Sequence, residues 1–182
     1  MIDIQPLQTT IRRFVKKARN QWQLFTLAAM VTYGVTALYL WSVHPTPRPF
    51  SVKTVTILGN VTFAVAVLLA IAIFFQKNQV FSRRFSRDFF EAMLKETHGD
   101  AEKALQEYLA VVFHKLVRFW ILAYGIVLVG VLHYWITFWP QYVHFLFIVG
   151  LFSLFLNYPR TEFFTEIPYQ LQRLKMDYDE HL

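Results

Sequence analysis

The chain has no cysteine, which excludes disulfides, thiolate metal sites, thiol nucleophiles and iron–sulfur clusters held by thiolates. Charge is scarce as well: only 16% of the 182 residues are Asp, Glu, Lys or Arg, 55% are hydrophobic, and mean hydropathy is +0.35. A water-soluble fold cannot hide that much apolar surface, so the composition points to an integral membrane protein. Acid is missing from every long apolar stretch, since all twelve carboxylates, from Asp3 to Glu180, lie outside them. Proton pumps and cation carriers usually place Asp or Glu within a span as a relay or ligand, and voltage sensors place Arg there; this chain has neither. Gly-rich phosphate loops, Walker patterns and HExxH are absent too, and Ser82, Ser86 and Ser153 have no evident His and acid partners. Enzyme activity by this chain alone is therefore not expected.

What is present is apolar sequence in span-length blocks. A bilayer crossing needs roughly 20 mainly apolar helical residues. Residues 22–43 supply one and end at the helix-breaking run His44-Pro45-Thr46-Pro47-Arg48-Pro49; residues 55–75 supply a second. The uncharged run 119–159 is too long for one crossing and breaks at Trp139-Pro140-Gln141-Tyr142. It reads as an outgoing span, 119–138, and a returning one, 142–158, each leg being too close to bilayer length for a re-entrant loop. The expected fold is an all-α integral membrane four-helix bundle, two transmembrane hairpins with amphipathic cytoplasmic helices.

Orientation follows from basic residues, which short loops retain on the cytoplasmic side. Sixteen of the eighteen Lys and Arg lie in 1–21, 76–118 and 159–182; only Arg48 and Lys53 fall in an outer loop. Both termini are thus expected in the cytoplasm. The net charge of +6 reports topology and anionic lipid rather than nucleic acid. A long polar leader before a full-length span argues against a cleavable signal peptide, and the positive-inside pattern without a targeting segment indicates a bacterial inner membrane.

The inner segments are amphipathic. Leu7, Ile11, Phe14 and Val15 recur at helical spacing opposite Gln8, Arg12, Arg13 and Lys16, with Pro6 in the first turn, predicting a helix over 1–21 in the headgroup layer. A second stripe, Phe81, Phe85, Phe89, Met93 and Leu94, is flanked by Arg83, Arg84 and Arg87. Candidate headgroup-binding residues are therefore Arg12, Arg13, Lys16, Lys17, Arg83, Arg84 and Arg87. Gly99-Asp100 breaks the second helix, and Asp100 is placed to cap a third helix running on to about Phe138. Residues 159–182 read as a cytoplasmic tail. Phe-x-Lys-x-x-Arg recurs before the first and third spans, at Phe14 and at Phe113, in keeping with two hairpins.

Histidine carries the one chemical possibility. His44, His133 and His144 all fall in the outer half of the expected bilayer, near Thr36, Asn60, Trp41, Tyr134, Trp135, Trp139 and Tyr142. Neutral imidazole is a haem ligand, so these three define a candidate site for haem b, or for quinone or lipid among the rings; interfacial anchoring of the helices is the simpler role. Glu96 to Asp100 offers metal-ligand side chains, but a polar turn is expected there in any case.

Three functions compete. The leading one is a non-catalytic subunit that docks to, stabilises or assembles a larger membrane protein complex. The second is a haem- or quinone-binding electron-transfer subunit. The third is a homo-oligomeric pore lined by Thr32, Thr36, Thr56, Asn60 and Thr62.

Overall fold

In the computed structural model, which describes residues 4–180, every element is helical: α1 (Ile4–Val43), α2 (Val52–Val80), α3 (Arg83–Glu96), α4 (Ala101–Thr137), α5 (Gln141–Leu156), a 3-10 turn (Thr161–Phe164) and α6 (Ile167–Glu180). Three helices, α1, α2 and α4, are long and apolar enough to cross a membrane. At ~1.5 Å per residue they run to about 60, 44 and 56 Å, well beyond a hydrocarbon layer of roughly 30 Å. The returning leg differs from the expected 142–158: α5 has 16 residues. At ~24 Å it is a fourth candidate only if joined to residues 161–180, which meet it at 44°.

The chain forms two compact units: residues 1–21, 76–117 and 159–182, and residues 22–75 and 118–158. The first buries most of its large apolar side chains. Leu7, Ile11, Val15 and Ala18 of α1 and Ala104, Leu105, Tyr108, Leu109, Val112 and Leu116 of α4 are buried, together with Phe90, Leu94, Phe164 and Leu171. Two expectations change here. The apolar stripe of α1 is buried within the unit rather than left for the headgroup layer, with Phe14 edge-on to Phe113 and Phe164 at 6.3 and 5.3 Å. No breaker separates residues 1–21 from 22–43, and the backbone continues as one helix. Residues 159–182 are likewise no plain tail: α6 packs on α3, and Ser86 donates to Gln170 Oε1 at 3.1 Å.

On α3 the buried line runs through Ser86, Phe90 and Leu94, one position round from the expected stripe, while Phe85 and Phe89 are half-buried around the Tyr108 ring. Local capping explains the ends. Ser82 Oγ accepts from Phe85 N; His98 and Gly99 take positive φ, 52° and 82°, and Gly99 N donates to Leu94 O. That left-handed turn stops α3, and Asp100 Oδ1 accepts from Glu102 N and Lys103 N to start α4.

Burial pushes the Tyr108 hydroxyl up to about 12. An unfolded tyrosine loses its proton near pH 10, so the folded state holds the proton longer. The stabilisation is complete below pH ~10 and lost as pH rises toward ~12, about 3 kcal/mol in all. Denaturant unfolding at pH 9 and pH 11.5 is expected to show this loss in the native chain and not in Tyr108→Phe; equal losses in both would refute it.

The second unit is built the other way round. Among the described residues, every strongly exposed large apolar side chain except Phe163, Tyr169 and Met176 belongs to it, from Leu24 and Leu27 on α1 through Phe74 and Phe75 on α2 to Phe152 and Phe155 on α5. Half of the most apolar stretch of α4 is buried, against 17% in α1 and α2, so α4 is the central helix. Glycine allows α5 to lie close against it. A Cβ on Gly150 would stand 2.9 Å from Ala123 O and 2.5 Å from Val127 Cγ2, and one on Gly130 would stand 2.9 Å from Leu146 Cβ. Helix α2 touches the rest along a narrow line of Gly59, Thr62, Ala66 and Ile73.

Candidate functional site

The three histidines have separate surroundings within the apolar unit. His133 is buried on α4; its Nδ1 is hydrogen-bonded to Thr62 Oγ1 of α2 at 2.9 Å, and its ring lies 4.5 Å from that of Tyr142. His133 Nε2 is buried without a hydrogen-bond partner among the described residues, as is the Tyr134 hydroxyl. His144 faces α1 instead, its Nδ1 sharing a 3.0 Å hydrogen bond with the Tyr33 hydroxyl, while Tyr33 stacks on Phe147 at 3.8 Å. His44 is exposed one residue past α1, at φ 44°. His133 and His144, which flank one hairpin, thus hydrogen-bond to different helices, one to α2 and the other to α1. No three His, Asp or Glu among the described residues stand close enough together to hold a metal ion. In the Glu96 to Asp100 turn, Asp100 is occupied as the cap of α4.

The polar residues that could have lined a pore are mostly used inside the unit. Thr32 Oγ1 is hydrogen-bonded to the Tyr124 hydroxyl at 3.0 Å, Thr36 is buried and accepts from Trp135 Nε1, and Thr62 is joined to His133. Thr56 Oγ1 donates to Val52 O one turn back. Asn60 is different: its side chain is exposed on an otherwise apolar length of α2. It borders a cavity of about 300 Å³ with Phe50, Thr56, Trp139, Gln141 and Tyr142. The Tyr142 hydroxyl lies directly over Gly59, where a Cβ would stand 2.5 Å from it, so the floor of this cavity depends on a glycine beside Asn60. The connection between α1 and α2, which contributes Phe50 to the cavity, is held by Arg48, whose backbone N donates to Thr137 O while its guanidinium covers the Phe138 ring at 4.7 Å.

The expected headgroup cations divide into two groups. Arg12, Arg13, Lys16 and Lys17 are all exposed on α1, with Lys17 Nζ 4.9 Å from the Phe113 ring centre. On α3, Arg87 pairs with Glu91 at 2.7 Å and Arg84 with Asp88 at 3.7 Å, which lowers the net charge of that face; the Arg83 side chain lies outside the described residues. A further set flanks the apolar stretches, as the distribution of basic residues in the sequence also shows. Wherever the chain passes between the two units a cation stands close by, Arg19, Lys77, Arg118 and Arg160, and aromatic residues such as Trp22, Phe75, Phe119 and Tyr158 stand on the apolar side.

Comparison with known proteins finds no family, no curated protein and no solved structure that matches this chain. Function is therefore argued from the geometry.

Proposed function

We propose that this chain is a non-catalytic integral membrane subunit that docks to and stabilises a larger membrane protein complex. It crosses the bilayer four times, with both ends in the cytoplasm of a bacterial inner membrane. The membrane reading is supported by the surface of the second unit, where apolar side chains face outward on α1, α2, α4 and α5. In water such a surface would drive aggregation; in lipid it needs no cover.

The observation that carries docking is Asn60. An amide turned toward hydrocarbon loses its water partners, and helices in membranes resolve that cost by hydrogen-bonding to one another. Thr32, Thr36 and Thr62 do so within the chain, whereas Asn60 faces out beside a cavity large enough for an incoming side chain. A helix of another subunit, offering a donor or acceptor to Asn60 and an apolar side chain to the cavity, satisfies both.

The test is co-purification in mild detergent from native membranes. Asn60→Leu is expected to lower recovery of the partner about three- to ten-fold while the chain itself remains folded, the range one interhelical hydrogen bond supports. Isolation of the native chain alone, or equal recovery with Asn60→Leu, would count against docking through this face.

A further inference from the structure

Within the first unit, α1, the 3-10 turn and the start of α6 enclose a recess of about 350 Å³. Phe164 ends the 3-10 turn with its ring edge-on to Phe14 of α1 at 5.3 Å, and α6 starts three residues later with Pro168 in its first turn. Ile11, Phe164 and Pro168, all buried, give the recess an apolar lining, while Gln8, Arg12 and Tyr169 border it and are exposed. Arg12 is the only charged residue lining it among the described residues. Lys16 follows one turn later on the same flank of α1, and that helix carries no carboxylate along its whole length. Neither cation has a side-chain ion pair or hydrogen bond among the described residues. Like charges at this spacing disfavour each other, and an anion beside them reverses that effect. Glu162 and Glu166 of the neighbouring segment line a different cavity, with Phe81, Ser86 and Tyr108.

We propose that this recess docks an acidic segment of a partner protein, which seats one apolar side chain in the cavity and sets flanking carboxylates against Arg12 and Lys16. Charge complementarity selects the partner. A simple anion meets a cation but leaves the apolar lining uncovered. A headgroup layer is disfavoured by the packing of α1: an interfacial helix lays an apolar face into the membrane, and here Leu7, Ile11, Val15 and Ala18 are buried. An acidic chain with an apolar residue satisfies the cavity and both cations together. Arg13 and Lys17 take no part, since they lie round the helix on its other flank, where Lys17 Nζ stands over the Phe113 ring. The docking reading thereby gains a second contact, in the other unit from Asn60 and independent of it.

The test uses the full chain in a neutral detergent and a fluorescein-labelled glutamate peptide with a central phenylalanine, followed by fluorescence anisotropy at low salt. Saturable binding is expected for the native chain. Arg12→Gln with Lys16→Gln should weaken it about ten-fold, and Arg13→Gln with Lys17→Gln, the same charge removed from the opposite flank, by less than about two-fold. Gln8→Trp fills the recess and should weaken binding about five-fold, as should alanine in place of the peptide's phenylalanine. Gln8 and all four cations are exposed, so none of these changes reaches the core. Absence of saturable binding, equal weakening by the two double variants, or equal affinity for the phenylalanine and alanine peptides would overturn the site. Displacement of the probe by phosphatidylglycerol as effectively as by unlabelled peptide at matched charge would assign the cations to lipid and overturn it too. Asn60→Leu keeps the two contacts apart: it acts on partner recovery and is expected to leave peptide affinity unchanged. Failure of the peptide arm alone removes this site, and failure of the Asn60 arm alone removes that contact.

Discussion

Gly150→Leu is expected to lower the unfolding midpoint in detergent by roughly 6–12 °C, the fall that corresponds to ~3 kcal/mol in a chain of this size. Any Cβ at position 150 meets Ala123 O at 2.9 Å, Val127 N at 3.2 Å and Val127 Cγ2 at 2.5 Å. The valine methyl could rotate away, but the carbonyl and the amide belong to the backbone of α4. Relief requires α5 to move off α4, and that movement also opens the contact at Gly130, where Leu146 Cβ and Tyr142 O lie just as close. Close approach through small residues is a main source of helix association in membranes, where hydrocarbon gives no hydrophobic drive of its own. Gly34 is the control. Nothing lies within 4 Å of a Cβ built there, so Gly34→Ala should be neutral or stabilise by up to about 1 kcal/mol through the better helix propensity of alanine. Similar midpoints for Gly150→Leu and Gly34→Ala would mean that α4 and α5 do not pack as described.

Trp120→Ala should be at least as damaging in the apolar unit, costing about 3–5 kcal/mol, and Trp120→Phe about 1–3 kcal/mol. Trp120 is fully buried on α4, and its Nε1 donates to Asn157 O at 3.0 Å; Trp22 Nε1 of α1 donates to Leu154 O at 2.9 Å, and Asn157 Nδ2 to Ser153 O at 2.7 Å. These acceptors sit in and just beyond the last turn of α5, where carbonyls have lost their intrahelical donors. In water the solvent would serve them. In apolar surroundings each unsatisfied carbonyl costs several kcal/mol, so two indoles and one amide add to the backbone bonds that Asn157 N and Tyr158 N make to Leu154 O and Phe155 O. The phenylalanine variant keeps most of the packing and loses only the donor, which separates the hydrogen bond from the volume. Limited proteolysis should report the same event locally, with cleavage between residues 157 and 166 rising in Trp120→Phe. Unchanged midpoint and unchanged cleavage would show that Asn157 O finds another donor. Because Trp22 and Trp120 serve one helix end, the double phenylalanine variant is not expected to be additive.

Several features were legible in the sequence because each depends on a few neighbouring residues. The break at Gly99-Asp100, the cap at Asp100 and the long helix that follows it are local chemistry. The C-terminal helix was overlooked although Ile167, Leu171 and Leu174 recur at helical spacing behind Pro168, the pattern of an amphipathic segment. The N-terminal stripe was visible, but its surroundings were not: Leu7, Ile11 and Val15 would look the same whether they faced lipid or were buried inside the first unit. The histidines share one depth in the sequence, yet rotation about two helix axes turns His133 toward Thr62 and His144 toward Tyr33.

By itself the sequence determined that the chain is helical, where its apolar stretches begin and end, and that its charge is kept out of them. Hydropathy, prolines and caps act over a turn or two, so linear order is enough to specify them. Only the tertiary structure decided that the apolar stripes of the inner segments are buried, and that Thr32, Thr36 and Thr62 are used inside the chain while Asn60 is exposed. Those outcomes depend on which face each helix turns to its neighbours, and that is settled by contacts between residues far apart in the chain.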